Sequence, residues 1–318
     1  MRIVFMGTPD FAVASLDAIC QSRHEVVGVV TVPDRQTGRG LKVTHSPVKE
    51  YALAHNLPIL QPEKLRDEAF QTELRSLNAD LFVVVAFRML PKDVWSMPPM
   101  GTFNLHASLL PKYRGAAPIN WAIINGETET GITTFLLNEK IDEGAILLQE
   151  RIPINADDTA ETIHDRLAEM GRTLVVKTIE ELADGTLKGT PQGECVDKPS
   201  PAPKIFKADC AIDWNKNGQD IVNFVRGLSP YPAATMQMTD EKGVLQQLKV
   251  YETSFEPDTD STIKHPTKHI ISDKKNYLKI SVSDGFVKIL SLQMSGKRRI
   301  SIEEFLRGYD ATNWEITN

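Results

Sequence analysis

Along the first two-thirds of the chain, short apolar runs alternate with stretches whose apolar positions recur at helical spacing. RIVFM (2–6), VVGVVTV (26–32) and LFVVVAF (81–87) are largely apolar runs of strand length, as expected of strands covered on both faces. TFNLHA (102–107) and ITTFLLN (132–138) read as further strands. Helical patterns lie between and after them: from about Asp10 to Cys20, over SPVKEYALAHN (46–56) and from about Thr159 to Leu182. In the second of these Ser46 is a good N-cap and Pro47 suits the first turn. The alternation predicts an α/β fold with a doubly wound, Rossmann-like parallel sheet. Ligands in such sheets bind at the carboxyl ends of the strands.

The texture changes near residues 185 to 207, where DGTLKGTPQGECVDKPSPAPK is rich in Gly, Pro and Ser and reads as a linker. Beyond it come IDW (212–214), a short helix ending near Gly227, and Pro230-Tyr231-Pro232. Then follow short β-rich runs, ATMQM, LQQLKVYET, KHIIS, YLKISV and FVKILSLQ. Short strands separated by turn signals suggest a small barrel. The expected organisation is a catalytic domain over 1–188, a linker over 189–207 and a barrel domain over 208–318.

Composition narrows the class. At 318 residues the chain has room for two domains, and its 41% hydrophobic and 25% charged content is ordinary for a soluble protein. The longest purely apolar run, 81–87, is far below the ~20 residues needed to cross a bilayer. MRIVFMGTPDF has neither the long apolar stretch nor the cleavage site of a secretion signal, so a cytoplasmic protein is expected. Cys20, Cys195 and Cys210 are too scattered for a disulfide framework or a zinc site, and no metal is expected. The turn after the first strand reads Gly-Thr-Pro-Asp-Phe-Ala rather than G-x-G-x-x-G, and its Pro and Phe argue against a pyrophosphate cradle and a nicotinamide cofactor.

The net charge of −6 argues by itself against a nucleic-acid partner. The charge is uneven, however: residues 204–318 carry a net +1 and the remainder −7. Lys297-Arg298-Arg299 forms a local basic run, and Lys279 and Lys288 would share a solvent face if their strands pair. A solvated face is the plain alternative for these cations. The loop PDRQTGRGLK (33–42) places Arg35, Arg39 and Lys42 around two glycines, a composition that suits a phosphate or base contact as well as a mobile surface loop.

The most informative stretch is NLHASLLPKYRGAAPI (104–119). On a strand, residues two apart share a face, so Asn104 and His106 would project together about 7 Å apart along the backbone. Pro111 and then Gly115-Ala116-Ala117-Pro118 follow, a stiff small-residue loop that a ligand can approach closely. Further on, LNEKIDEGAILLQ supplies a carboxylate at Asp142, followed by Gly144. Taken singly, each of the three polar residues has a bland reading: a turn-capping Asn, a satisfied core His, an Asp in a turn. Together, Asn104, His106, SLLPKYRGAAPI and IDEG resemble the folate-dependent formyltransferase family, and the APKI–IDW segment and Val225-Arg226-Gly227-Leu228 resemble the entry to its C-terminal domain.

The resemblance implies an OB-like C-terminal barrel and a catalytic set of Asn104, His106 and Asp142. It implies 10-formyltetrahydrofolate as co-substrate, lying along Ser108, Leu109, Leu110 and Pro111 and walled by Phe87, Arg88, Met89 and Leu90. Many relatives carry Gly where this chain has Arg88, which affects local pocket shape. The implied acceptor is the α-amino group of methionyl initiator tRNA, the alternative being an amino sugar or nucleotide. Arg35, Arg39 and Lys42 would meet the acceptor stem, and Lys279, Lys288, Lys297, Arg298 and Arg299 the arm below it. A monomer is expected.

Overall fold

The computed structural model describes residues 1–37, 42–258 and 266–317. In chain order its first elements are β1 (Arg2–Gly7), α1 (Asp10–Gln21), β2 (Glu25–Val30), β3 (Arg35–Thr37), β4 (Lys42–Thr44), α2 (Pro47–Ala54), β5 (Ile59–Leu60), α3 (Glu68–Ser76), β6 (Leu81–Val85), α4 (Lys92–Trp95), β7 (Thr102–His106) and β8 (Arg114–Gly115). They are followed by α5 (Pro118–Ile124), β9 (Glu129–Leu136), β10 (Ile146–Pro153), α6 (Ala160–Ala183), β11 (Pro201–Ala202) and α7 (Gly218–Leu228). The last are β12 (Ala234–Thr239), β13 (Leu245–Pro257), β14 (Ile270–Ser272), β15 (Leu278–Val282), β16 (Gly285–Met294), β17 (Ile300–Ser301), α8 (Ile302–Leu306) and β18 (Glu315–Ile316).

Two compact units result. The first comprises residues 1–115, 129–152 and 164–202, the second 116–128, 153–163 and 203–318. In the first, a sheet runs in the order β10-β9-β7-β6-β1-β2-β5. The five strands from β7 to β5 are parallel, as the alternation of strands and helices predicts. Strand β9 departs from the expected parallel set: it runs antiparallel to β7. Apolar patterning reports which faces are covered and carries no information on direction. Outside β9, β10 shows alternating burial beyond Leu147, the mark of an edge strand with one wet face. Val4, Met6, Phe82 and Val84 pack on one face with Phe70 and Leu74 of α3. Helix α2 starts as its sequence suggests, the Ser46 side chain accepting from the Lys49 N–H with Pro47 next. Strand β6 ends at Val85, because Ala86 takes a φ of +47°.

The second unit is a nearly closed antiparallel barrel, β14-β15-β16-β13-β12-β18, with β17 on β16. Trp214, Ile280, Leu292 and Phe305 lie in its core. Helix α5, though it precedes β9 in sequence, belongs here: the Asn120 side chain donates to the Gly227 carbonyl and the Trp121 indole to that of Pro203. Among the described residues no helix is long and apolar enough to cross a membrane.

Within the Gly- and Pro-rich segment 189–207, residues up to Ala202 belong to the first unit. Gln192 is 6% exposed, and Pro201–Ala202 pair in parallel with Arg114–Gly115.

Candidate active site

Strand β7 sets the site. Phe103 and Leu105 are buried on one face, while Asn104 and His106 project from the other at the carboxyl end of the strand. Their opposite neighbours on β9 are Phe135 and Thr133, and the Phe135 ring meets the His106 ring edge-on at 6.4 Å between centroids. The Asn104 amide makes no hydrogen bond to another described side chain, and the residue is half-buried. It is therefore a pair of donors held on a rigid strand and still available.

His106 is 6% exposed and has a defined setting. Its Nε2 lies 2.8 Å from the Tyr113 carbonyl oxygen. A carbonyl only accepts, so Nε2 carries a proton and donates. Its Nδ1 faces Asp142 Oδ2 at 3.9 Å, close enough to share charge but beyond a direct hydrogen bond. The same Oδ2 accepts from the Gly115 N–H at 2.9 Å. The residues after β7 thus fold back so that one backbone group orients the imidazole and another orients the carboxylate. Both rely on left-handed backbone. Tyr113 has φ +61°, uncommon for an aromatic residue, and Gly115 has φ +130°. A Cβ on Gly115 would sit 2.4 Å from the Ala202 carbonyl oxygen.

Asp142 itself occupies the left-handed region at φ +53°. Two residues on, Gly144 passes so close to β9 that a Cβ there would meet the Leu136 carbonyl oxygen at 1.5 Å. The turn is gripped from Gln192. That side chain donates to the Asp142 carbonyl at 2.8 Å and to the Gly144 carbonyl at 2.9 Å. Its Oε1 accepts from Arg114 Nε and Nη2 at 3.0 and 2.6 Å. Arg114 Nη1 in turn pairs with Glu143 at 3.0 Å. Tyr113, Arg114, Glu143 and Gln192 carry no isolated sequence signal for these roles. The first three lie within the quoted motifs, and Gln192 sits 50 residues from Asp142 in a segment with linker composition.

The expected folate-facing residues divide into two groups. Ser108, Leu109, Leu110 and Pro111 are buried. The Ser108 carbonyl accepts from Thr133 Oγ1, the Leu110 N–H donates to Thr133 Oγ1, and the Leu110 carbonyl accepts from Gln149. These three backbone groups are held by side chains of β9 and β10, which fixes the course of the segment. Phe87 to Leu90 differ: Met89 is 69% exposed, Phe87 is half-buried against the core, and Leu90 is buried. Arg88 turns away to donate to the carbonyls of Pro62 and Glu63, with its guanidinium 5.5 Å from the Phe87 ring centroid. An Arg here braces two loops at the carboxyl end of the sheet, a job that Gly cannot do.

Of the basic residues, Arg35 is exposed on β3, Lys42 lies on β4, and Arg39 lies outside the described residues. The β3–β4 hairpin is anchored at its base by Asp34, which accepts from Lys49 at 2.6 Å, from Gln61 at 3.0 Å and from His45 at 3.0 Å. These partners, Lys49 first, hold the Asp34 carboxyl well below the usual carboxylate range. On the barrel, Lys279 and Lys288 are direct cross-strand neighbours, so they do share a face. Lys279 pairs with Glu256, Arg298 with Glu304 and Arg299 with Glu252, while Lys297 donates to the Tyr309 hydroxyl. The basic set is thus partly neutralised within its own unit. No group of three or more His, Cys, Asp or Glu able to hold a metal occurs among the described residues.

A doubly wound sheet carrying Asn, His and Asp at this position defines a class, and sequence comparison agrees with it. Residues 1–179 match the formyl transferase family and residues 204–310 match the formyl transferase C-terminal domain, and the chain belongs to that family. It is 52% identical over 314 residues to the methionyl-tRNA formyltransferase of Bacteroides fragilis, covering 98% of this chain and 96% of the relative. It is 53% identical over 313 residues to the enzyme of that name from Parabacteroides distasonis, covering 97% and 96%. Among solved structures, a sugar 3N-formyl transferase, WlaRD, determined in the presence of dTDP and 5-N-formyl-THF, shares the fold with a TM-score of 0.65 at 21% identity, covering 94% of this chain and 99% of that one.

Proposed function

We propose that this chain transfers the formyl group of 10-formyltetrahydrofolate to the α-amino group of methionyl initiator tRNA, giving N-formylmethionyl-tRNA for translation initiation. The observation that carries this reading is the set at the end of β7: an unengaged Asn104 amide beside an imidazole whose Nε2 is committed to the Tyr113 carbonyl and whose Nδ1 faces Asp142. Near-full-length similarity to relatives named for methionyl-tRNA supports this acceptor over an amino sugar or a nucleotide.

The chemistry follows from these groups. The acceptor amine adds to the formyl carbon, a C–N bond forms, and the carbonyl oxygen becomes an oxyanion. Asn104 donates to that oxygen from a fixed strand, stabilising charge as it develops without itself being charged. One proton leaves the amine, and one reaches N10 of the folate as the C–N10 bond breaks. Since Nε2 keeps its proton on the Tyr113 carbonyl, Nδ1 is where His106 gains and loses one. Asp142 faces that nitrogen at 3.9 Å and stabilises the positive charge of the ring while Nδ1 carries a proton. The folate lies along Ser108 to Pro111, and Phe87, Arg88, Met89 and Leu90 wall the pterin, with Met89 offering its exposed thioether. Arg35, Arg39 and Lys42 serve the acceptor stem. Lys279, Lys288, Lys297, Arg298 and Arg299 serve the arm, and the enzyme works as a cytoplasmic monomer.

The test is formyl incorporation by the purified protein from 10-formyltetrahydrofolate into charged initiator Met-tRNA, run beside nucleotide-linked amino sugars. Formylation of the tRNA alone is expected. Turnover of an amino sugar with none on tRNA overturns the choice of acceptor.

A further inference from the structure

We propose that Gln192 is a positioning residue for formyl transfer, holding the Asp142–Gly144 turn in the shape that aims the Asp142 carboxylate at His106; this rests on the reading of Asp142 given above. The side chain is buried, and its amide spends both donors on the carbonyls that bracket the turn, those of Asp142 and Gly144. Its oxygen takes two donors from Arg114. The amide orientation is fixed by these partners, since the reverse would set oxygen against two carbonyls and NH2 against a guanidinium. A left-handed aspartate does not hold itself, and here both neighbouring carbonyls are fixed by one group.

The same stretch of chain also supports the other half of the site. Ser200 accepts through Oγ from the Tyr113 N–H at 2.9 Å and through its carbonyl from the Arg114 N–H at 2.9 Å. Tyr113 supplies the carbonyl under His106, and Gly115, paired with Ala202, supplies the N–H under Asp142. Residues 192–202 therefore form a bracket that holds the backbone groups on which the imidazole and the carboxylate rest. Its composition reads as a linker because the work is done by one Gln, one Ser and backbone.

The discriminating variants are Gln192→Leu, which keeps size and loses every hydrogen bond, and Gln192→Glu, which keeps the Arg114 contact but turns oxygen toward two carbonyls. A misplacement of about 1 Å far from the reacting atoms costs on the order of 100-fold. For both variants we expect kcat to fall roughly 10- to 100-fold, with tRNA KM and tetrahydrofolate affinity within about 3-fold of wild type. A group acting through Asp142 has little left to lose once Asp142 is disabled, so Gln192→Leu should add almost nothing in an Asp142→Asn background. Additive losses in the double variant, or wild-type kcat in Gln192→Leu, overturn the proposal. Should Gln192→Leu fail to fold, Arg114→Lys removes the fork that seats Oε1 and carries the same cycle. Wild-type protein inactive on Met-tRNA would instead defeat the functional reading, so the two failures are told apart.

Discussion

The end of β7 and the cationic face of the barrel hold their polar groups in different ways. At β7, His106 and Asp142 are 7% and 16% exposed in their side chains, and their partners are backbone groups and a buried amide from distant sequence. On the barrel, Arg298 is 77% exposed and paired with Glu304, and Arg299 is 41% exposed, paired with Glu252, donating to Ser291 and stacked over Tyr251. Pairs of that kind contribute about 0–1 kcal/mol and are screened by salt. The first arrangement is preorganised and tolerates little displacement. The second consists of exposed ion pairs, which would exchange a carboxylate for a phosphate at small cost if this face meets RNA as proposed. The contrast suits a small rigid reaction beside a large flexible acceptor.

The largest effects are expected at the rigid site. Asn104→Ala, His106→Ala and Asp142→Ala should each lower formyl transfer by at least about 100- to 1000-fold, the cost typical of losing one preorganised donor at an oxyanion. Asn104→Ala should do so with an unchanged melting temperature, because its amide has no described partner to lose. Near-normal turnover in any of the three, with protein shown to be folded, removes that residue from the catalytic set.

Next in size is Arg39→Ala, expected to reduce transfer to initiator tRNA by about 10-fold or more while tetrahydrofolate binding stays level, because an Arg fork grips phosphate or stacks on bases. Single-turnover transfer and folate titration separate the two effects, and a parallel loss of folate affinity would place Arg39 wrongly. Smaller shifts should come from the barrel. Reversing charge at Lys297, Arg298 and Arg299 should flatten the slope of log K for tRNA against log salt by roughly one for each phosphate that is no longer neutralised. Glu304→Gln and Glu252→Gln should act oppositely, tightening tRNA binding a few-fold at low salt by freeing Arg298 and Arg299. Tight binding that ignores all of these changes at every salt concentration would move the RNA-binding surface off this face.

The smallest expected effect lies at the stem of the β3–β4 hairpin. The folded-state pKa of Asp34 is lowered by Lys49, Gln61 and His45, so its carboxylate stabilises the fold above the ordinary unfolded aspartate value near 3.9. That contribution disappears only as pH falls through the lower folded value. Asp34→Asn should therefore lower the melting temperature modestly at pH 7, with the gap to wild type closing only in strong acid. An equal melting temperature at pH 7 would show that Asp34 does not hold the stem.

The linear pattern by itself determined a good deal of this protein. Apolar runs at 3–6, 26–30 and 81–87 specify strands covered on both faces, and Ser46-Pro47 specifies where α2 begins. Period-two spacing put Asn104 and His106 on one face, and the Lys279–Lys288 juxtaposition likewise followed from strand alternation once the two strands paired. What tertiary structure decided involves partners that local pattern does not encode. The direction of β9, the placing of α5 with the second unit and the neutralisation of Arg298 and Arg299 depend on what lies opposite each element. Gln192 shows the limit most clearly. A buried amide reads in sequence like any surface Gln, and its meaning comes from two carbonyls 48 and 50 residues away. Hydrogen bonds of that range leave no periodicity behind, so only the folded chain discloses them.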